Sequence, residues 1–161
     1  MTVKRYLQRD TSELAARYEV YGEQGELLYR IRGKKTPSGE SMRIIDGQDG
    51  TVCKVRRLGF SALSTYSISF SGETVGLHIA AAGMVAVRFR GISFSIRGDV
   101  LAGSYDIIDA DCTVVCAVGR DYAKGCTHLT IYHTEREILC IAAAACINSL
   151  TADATPALQM T

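Results

Sequence analysis

Hydrophobic and polar residues alternate along most of this chain with a period of two. Four stretches repeat one plan, in which an apolar residue stands at every second position, a polar turn follows, and the alternation resumes. They are YEVYGEQGELLYRI (18–31), MRIIDGQDGTVCKV (42–55), YDIIDADCTVVCAV (105–118) and LTIYHTEREILCIA (129–142). In register, Val20, Ile44, Ile107 and Ile131 correspond, as do Leu28, Val52, Val115 and Leu139. YSISFSGETVGLHI (66–79) follows the same plan with one residue fewer in its second arm. Period-two alternation bounded by turn residues predicts antiparallel hairpins with one buried face. GEQGE, DGQDG and FSGET supply the turns, because Gly reaches positive φ without steric cost. Adding VAVRFR (85–90) and ISFSIRG (92–98) gives about twelve strands, the pattern of an all-β sandwich or barrel.

EREILCIAAAACINSL (135–150) breaks the alternation. No charge follows Glu137 until Asp153, and four alanines stand side by side at 142–145. A helix that is apolar all round is buried on every side, and small residues make this one thin. A barrel of about eight strands is filled by its own side chains, whereas closing about twelve leaves a hole. A thin helix plugs such a hole. The expected fold is mainly β, a closed antiparallel barrel of about twelve strands around a central hydrophobic C-terminal α-helix. A helix packed between two open sheets is the structural alternative. The thirteen residues Ile138 to Leu150 span only about 20 Å as a helix, against a bilayer core of about 30 Å. No transmembrane segment is predicted.

Composition adds bounds. A chain of 161 residues with 47% hydrophobic and 22% charged residues fits one soluble domain, 1–161, with TADATPALQMT (151–161) expected to be a mobile tail. The net charge of +1 gives no global reason to expect nucleic acid as a partner. The charge is uneven, however: residues 1–57 carry 12 Lys/Arg against 8 Asp/Glu, and the remainder 6 against 9. MTVKRYLQRDTSELAA has the positive start of a secretory leader but not its apolar run. A cytoplasmic protein with six reduced cysteines is therefore expected.

Repeated hairpins followed by one hydrophobic helix resemble the tubby C-terminal-like superfamily, most closely its LURP-one-related branch and more distantly the phospholipid scramblases. The sharpest local match is FSIRGDVLAGSYDIIDADCTVVCAVGRDYA (94–123), where Gly98, Asp99, Gly103 and Tyr105 carry the likeness. It extends over roughly residues 16–150 as a distributed pattern without a catalytic signature. The resemblance implies a twelve-stranded barrel around a central helix. For function it implies less than for fold: tubby proteins bind phosphoinositides and scramblases act on lipids, while most LURP-one-related members have no firm biochemical role. The acidic calcium-binding stretch associated with scramblases has no counterpart here.

No catalytic or metal-binding motif emerges. Cys112, Cys116, Cys126, His128 and His133 cluster, but without C-x-x-C spacing, and the two histidines fall on opposite faces of a continuous strand. Cys53, Cys116 and Cys140 occupy equivalent repeat positions, as core residues would. GFSAL (59–63) lacks the second Gly of a nucleophile elbow. Asp106, Asp109 and Asp111 lack the Gly and Glu of a calcium loop and are better read as turn residues. Both nucleotide-phosphate motifs are absent from the sequence, so no cofactor is implied.

Basic residues remain. If Tyr29 and Ile31 face inward, Arg30, Arg32 and Lys34 line the outer wall. By the same parity Lys54 and Arg56 face out, with Lys35 and Arg57 at the following bends. Were the two strands close in the barrel wall, these seven residues would form a patch able to meet phosphate groups. The expected function is a non-enzymatic module for anionic phospholipid or phosphoinositide head groups, cytoplasmic and peripheral to a membrane when bound. The alternatives are a structural or regulatory protein-interaction module without lipid affinity, and scramblase-like lipid handling. The plainest explanation of the patch is a solvated wall whose edges are protected by charge.

Overall fold

A computed structural model of the chain describes residues 2–9, 17–36, 39–60, 63–81, 85–121 and 123–159, without the side chains of 17, 35, 36, 59, 60, 63, 81 and 150–159. The first six strands are β1 Val3–Arg9, β2 Arg17–Tyr21, β3 Leu27–Thr36, β4 Gly39–Asp46, β5 Thr51–Phe60 and β6 Leu63–Phe70. Then come β7 Glu73–Ala81, β8 Val85–Arg90, β9 Ser95–Asp99, β10 Ser104–Ile108, β11 Val114–Asp121 and β12 Cys126–Ile131. All twelve belong to one antiparallel sheet, in the order β8-β7-β6-β5-β4-β3-β2-β1-β12-β11-β10-β9. β1 lies in a stretch whose role the sequence left unread. It joins the two halves of the wall, pairing Leu7 with Val20 of β2 and with Thr127 of β12. The expected barrel is present, closed except at one seam. There β8 and β9 form the two ends of the sheet and share no ladder.

A 3₁₀ turn at Thr134–Arg136 leads into α1, Glu137–Gln159, the one α-helix among the described residues. Every residue from Leu139 to Ile147 is at most 1% exposed, so the alanine-rich rod is enclosed on all sides as its composition requires. Its last turns run into the segment expected to be a tail. One hairpin expectation is corrected here. In LTIYHTEREILCIA the first arm is β12, but the second is the 3₁₀ turn and the start of α1. Ile138, Leu139, Cys140 and Ile141 form a continuous apolar run, and a strand with one wet face would have exposed half of it.

The inward strand positions pack around the rod. Leu7, Val20, Ile31, Ile44, Val55, Ile68, Leu77 and Leu129 are all 2% exposed or less. Each side chain so buried stabilises the fold by roughly 1.5–3 kcal/mol over its exposed state. Polar groups at the ends of the buried stretch are satisfied by the wall or by the helix's own backbone. Asn148 Nδ2 donates to Thr127 Oγ1 at 2.9 Å, and Ser149 Oγ donates to the carbonyl of Ala145 at 2.9 Å. At the other end Arg5 donates twice to the Glu137 carboxylate, at 3.2 and 3.1 Å. Cys53, Cys116, Cys140 and Cys146 are buried as free thiols. Burial pushes the Cys53 thiol up to about 12, which keeps it neutral and inert.

Three hairpins share one loop geometry at 22–26, 46–50 and 109–113. The first loop residue receives the backbone N–H of the fourth, at 3.1, 3.1 and 3.0 Å. The fourth residue is left-handed in each case, at Gly25 (φ 79), Asp49 (φ 61) and Cys112 (φ 62). Asp46 and Asp109 brace their loops, each Oδ1 accepting two backbone N–H groups at 2.9 Å. Of the aspartates that resemble a calcium loop, Asp109 and Asp111 are turn residues, whereas Asp106 stands in strand β10, opposite Arg97 and ion-paired with it at 3.3 Å.

A cationic face on strands β3 to β5

The outer wall follows from strand parity. On β3, Ile31 is buried while Arg30 and Lys34 are exposed and Arg32 is half-buried. On β5, Cys53 and Val55 point in, so Lys54 and Arg56 point out and are exposed. The two strands are not neighbours. β4 lies between them and contributes Arg43, an exposed cation between the buried Met42 and Ile44.

The registers place these cations in two rows across the strands. Arg32 stands opposite Arg43, and Arg43 stands opposite Lys54. In the next outward row Lys34 is opposite Ser41, and Ser41 is opposite Arg56. Adjacent strands run about 4.8 Å apart, so three like charges sit side by side in the first row. Like charges directly opposite one another destabilise a sheet by roughly 0.2–1 kcal/mol per pair. Among the described residues, Arg32, Lys34, Arg43, Lys54 and Arg56 form no ion pair that would offset this.

The remaining expected members divide. Arg30 is exposed on the same face, but it lies opposite Glu19 and beside a depression of about 170 Å³ also lined by Asp46 and Asp49. Those carboxylates make its surroundings less attractive to an anion. Lys35 is in β3 rather than at a bend, its backbone opposite Glu40, and its side chain falls outside the described residues. Arg57 is also not at a bend, because β5 continues to Phe60. It follows the inward parity of Cys53 and Val55 and faces the barrel end. There its guanidinium bonds Glu40 at 2.9 Å and Ser64 Oγ at 3.0 Å, and lies 5.9 Å from the centre of the Tyr66 ring. It belongs to the internal frame.

The face is therefore a five-cation array made of Arg32, Arg43, Lys54, Lys34 and Arg56. Parity alone would have found Arg43, whose flanking Met42 and Ile44 are both apolar; its place in the row required the strand order. A second depression, of about 330 Å³, borders Lys54 beside Phe70 and Thr74. Neither depression forms a closed pocket of the kind that engulfs a small ligand. The array instead offers forked guanidinium donors and ammonium charge on an open wall, suited to groups presented from outside. Among the described residues no three His, Cys, Asp or Glu side chains converge as a metal ion would need. No helix is long and apolar enough to cross a membrane among those residues.

Comparison with known proteins agrees with this architecture. A family model described as LURP-one-related matches residues 3–148. A solved X-ray structure of a protein from Arabidopsis thaliana aligns over 92% of this chain and 91% of its own, with a TM-score of 0.64 and 13% identity. At that identity the likeness concerns the fold alone. A search of curated proteins returned no match.

Proposed function

The chain belongs to the LURP-one-related family, with its tubby-like barrel, and we propose that it is a non-enzymatic module that binds anionic lipid head groups through the β3–β5 face. The observation that carries the reading is the cross-strand row Arg32–Arg43–Lys54. Charge placed there at a cost to the sheet is best explained by an anion that relieves it. Phosphate oxygens accept bidentate guanidinium bonds, and each Lys or Arg at an anionic membrane surface contributes about 1 kcal/mol. Five cations on one side of a small barrel are enough for salt-sensitive docking without insertion. The protein would then be cytoplasmic and peripheral to the membrane.

The experiment is vesicle sedimentation at low and at physiological salt, with and without a phosphoinositide. Pelleting that salt weakens, and that Arg32→Glu, Arg43→Glu and Lys54→Glu together abolish, is the expected result. Circular dichroism of the variant should match the parent. No pelleting at low salt, or pelleting indifferent to the triple reversal, removes the proposal. Scramblase-like handling would appear as dye-lipid translocation in reconstituted vesicles. A protein-interaction role is the second reading, favoured by the unpaired strand edges at the barrel seam.

A further inference from the structure

The seam between β8 and β9 leaves the barrel with two edges, where full closure would leave none. β8 keeps an unbroken register with β7, from Gly76 opposite Arg90 to Ala81 opposite Val85, and among the described residues no strand pairs with its other edge. β9 is shorter and is bent by Gly98 at φ 124, so β8 is the regular edge of the two. The core is thinly covered here. Phe89 is buried, but Val85, Val87, Ile92, Phe94 and Ile96, which pack on the core from this side, are only partly buried; among the described residues the other apolar side chains so placed, Val3, Tyr29, Val52 and Ile138, are scattered around the wall. The outward side chains of β8 are Ala86, Arg88 and Arg90, all exposed. Neither arginine is ion-paired among the described residues.

We infer that the free edge of β8 receives an extended segment of a partner protein, in which acidic residues alternate with apolar ones. The backbone of such a segment would extend the β7–β8 ladder, as in strand addition generally. Its apolar side chains would continue the inner face beside Val85, Val87 and Phe89. Its carboxylates would stand on the outer face beside Arg88 and Arg90, where opposite charges across strands stabilise pairing. The arginines also decide against a second copy of this chain. A two-fold β8–β8 contact would set two Arg88–Arg90 pairs against each other. A charge that only guards an edge would not explain why apolar core residues beneath it stay partly open.

The test uses the full chain and a capped ten-residue peptide alternating valine with glutamate, read by fluorescence anisotropy and by amide exchange. Saturable binding is expected, with at least tenfold slower exchange at β8 amides that are free in the unbound chain. Arg88→Glu with Arg90→Glu should weaken that peptide at least tenfold and favour its lysine counterpart. N-methylating all the valines or all the glutamates blocks one peptide edge or the other, so one of the two peptides should keep binding and the other lose it. Four results would overturn the inference: no saturable binding of the unmodified peptide, equal binding of both methylated peptides, equal binding of the lysine peptide, or a dimer of the free chain that protects β8. Vesicle pelleting abolished by the β8 reversals while peptide binding is untouched would assign those arginines to lipid instead.

Discussion

Arg56 and Arg57 are adjacent in sequence and belong to different parts of the molecule. Arg57 faces inward, 16% exposed, and holds the 12%-exposed Glu40 across the β4–β5 pair. Arg5 does the same for Glu137, fastening the first strand to the start of the helix with both side chains about 15% exposed. The outer row Arg32–Arg43–Lys54 has no such counterweight among the described residues. Arg57 and Arg5 are each matched with one carboxylate and shielded from water. Those of the β3–β5 row stand opposite one another instead. The first arrangement stabilises the fold, and the second leaves charge available to something outside it.

The largest effect expected lies deep inside the wall. Ala144→Arg should prevent folding, because a charge within the plugged barrel has no partner and costs several kcal/mol. Far-ultraviolet circular dichroism would show the loss, and an unchanged melting temperature would refute the enclosed rod. Next in size, Arg57→Met should cost roughly 2–3 kcal/mol in urea unfolding, since it strands the half-hidden Glu40. Arg56→Met beside it should stay within about 0.5 kcal/mol. Equal effects would erase the contrast between the two faces.

The third expectation sets Cys53 against its outward neighbour Lys54. Burial raises the folded thiol from an ordinary 9.0 to about 12, so the neutral form is favoured in the native state. The resulting stability is complete below pH 9 and is lost as pH climbs toward 12, at about 1.4 kcal/mol per pH unit. Urea unfolding at pH 8 and pH 10 should therefore show a fall that Cys53→Val reduces by about 1.4 kcal/mol. The smallest effect has the opposite sign. Arg43→Thr removes the middle charge of the row and should raise stability by about 0.5 kcal/mol while weakening vesicle binding. A variant that loses both stability and binding would show that the row is structural.

Much of this was legible locally. The same loop chemistry recurs at Asp46 and Asp109, and the alternating arms of 18–31, 42–55, 66–79 and 105–118 became β2–β3, β4–β5, β6–β7 and β10–β11. The fourth copy failed at Glu135 to Ile141, where a continuous apolar run could serve a buried helix as well as a strand. Arg57 was misplaced for a related reason. Its inward parity was readable, but no apolar residue marks that strand position, and a basic side chain there reads as exposed. Arg43 went unremarked because its importance depends on β4 standing between β3 and β5.

By itself the sequence determined which residues face in, where the chain turns, and that one thin apolar rod must be enclosed. These follow from period, turn stereochemistry and hydrophobicity, which act over a few residues. Only the tertiary structure decided that β1 bridges β2 and β12, that three cations line up across β3, β4 and β5, and that the wall stops short at β8 and β9. Strand order and register are contacts between segments far apart in the chain, and no local pattern encodes which partner a strand will meet.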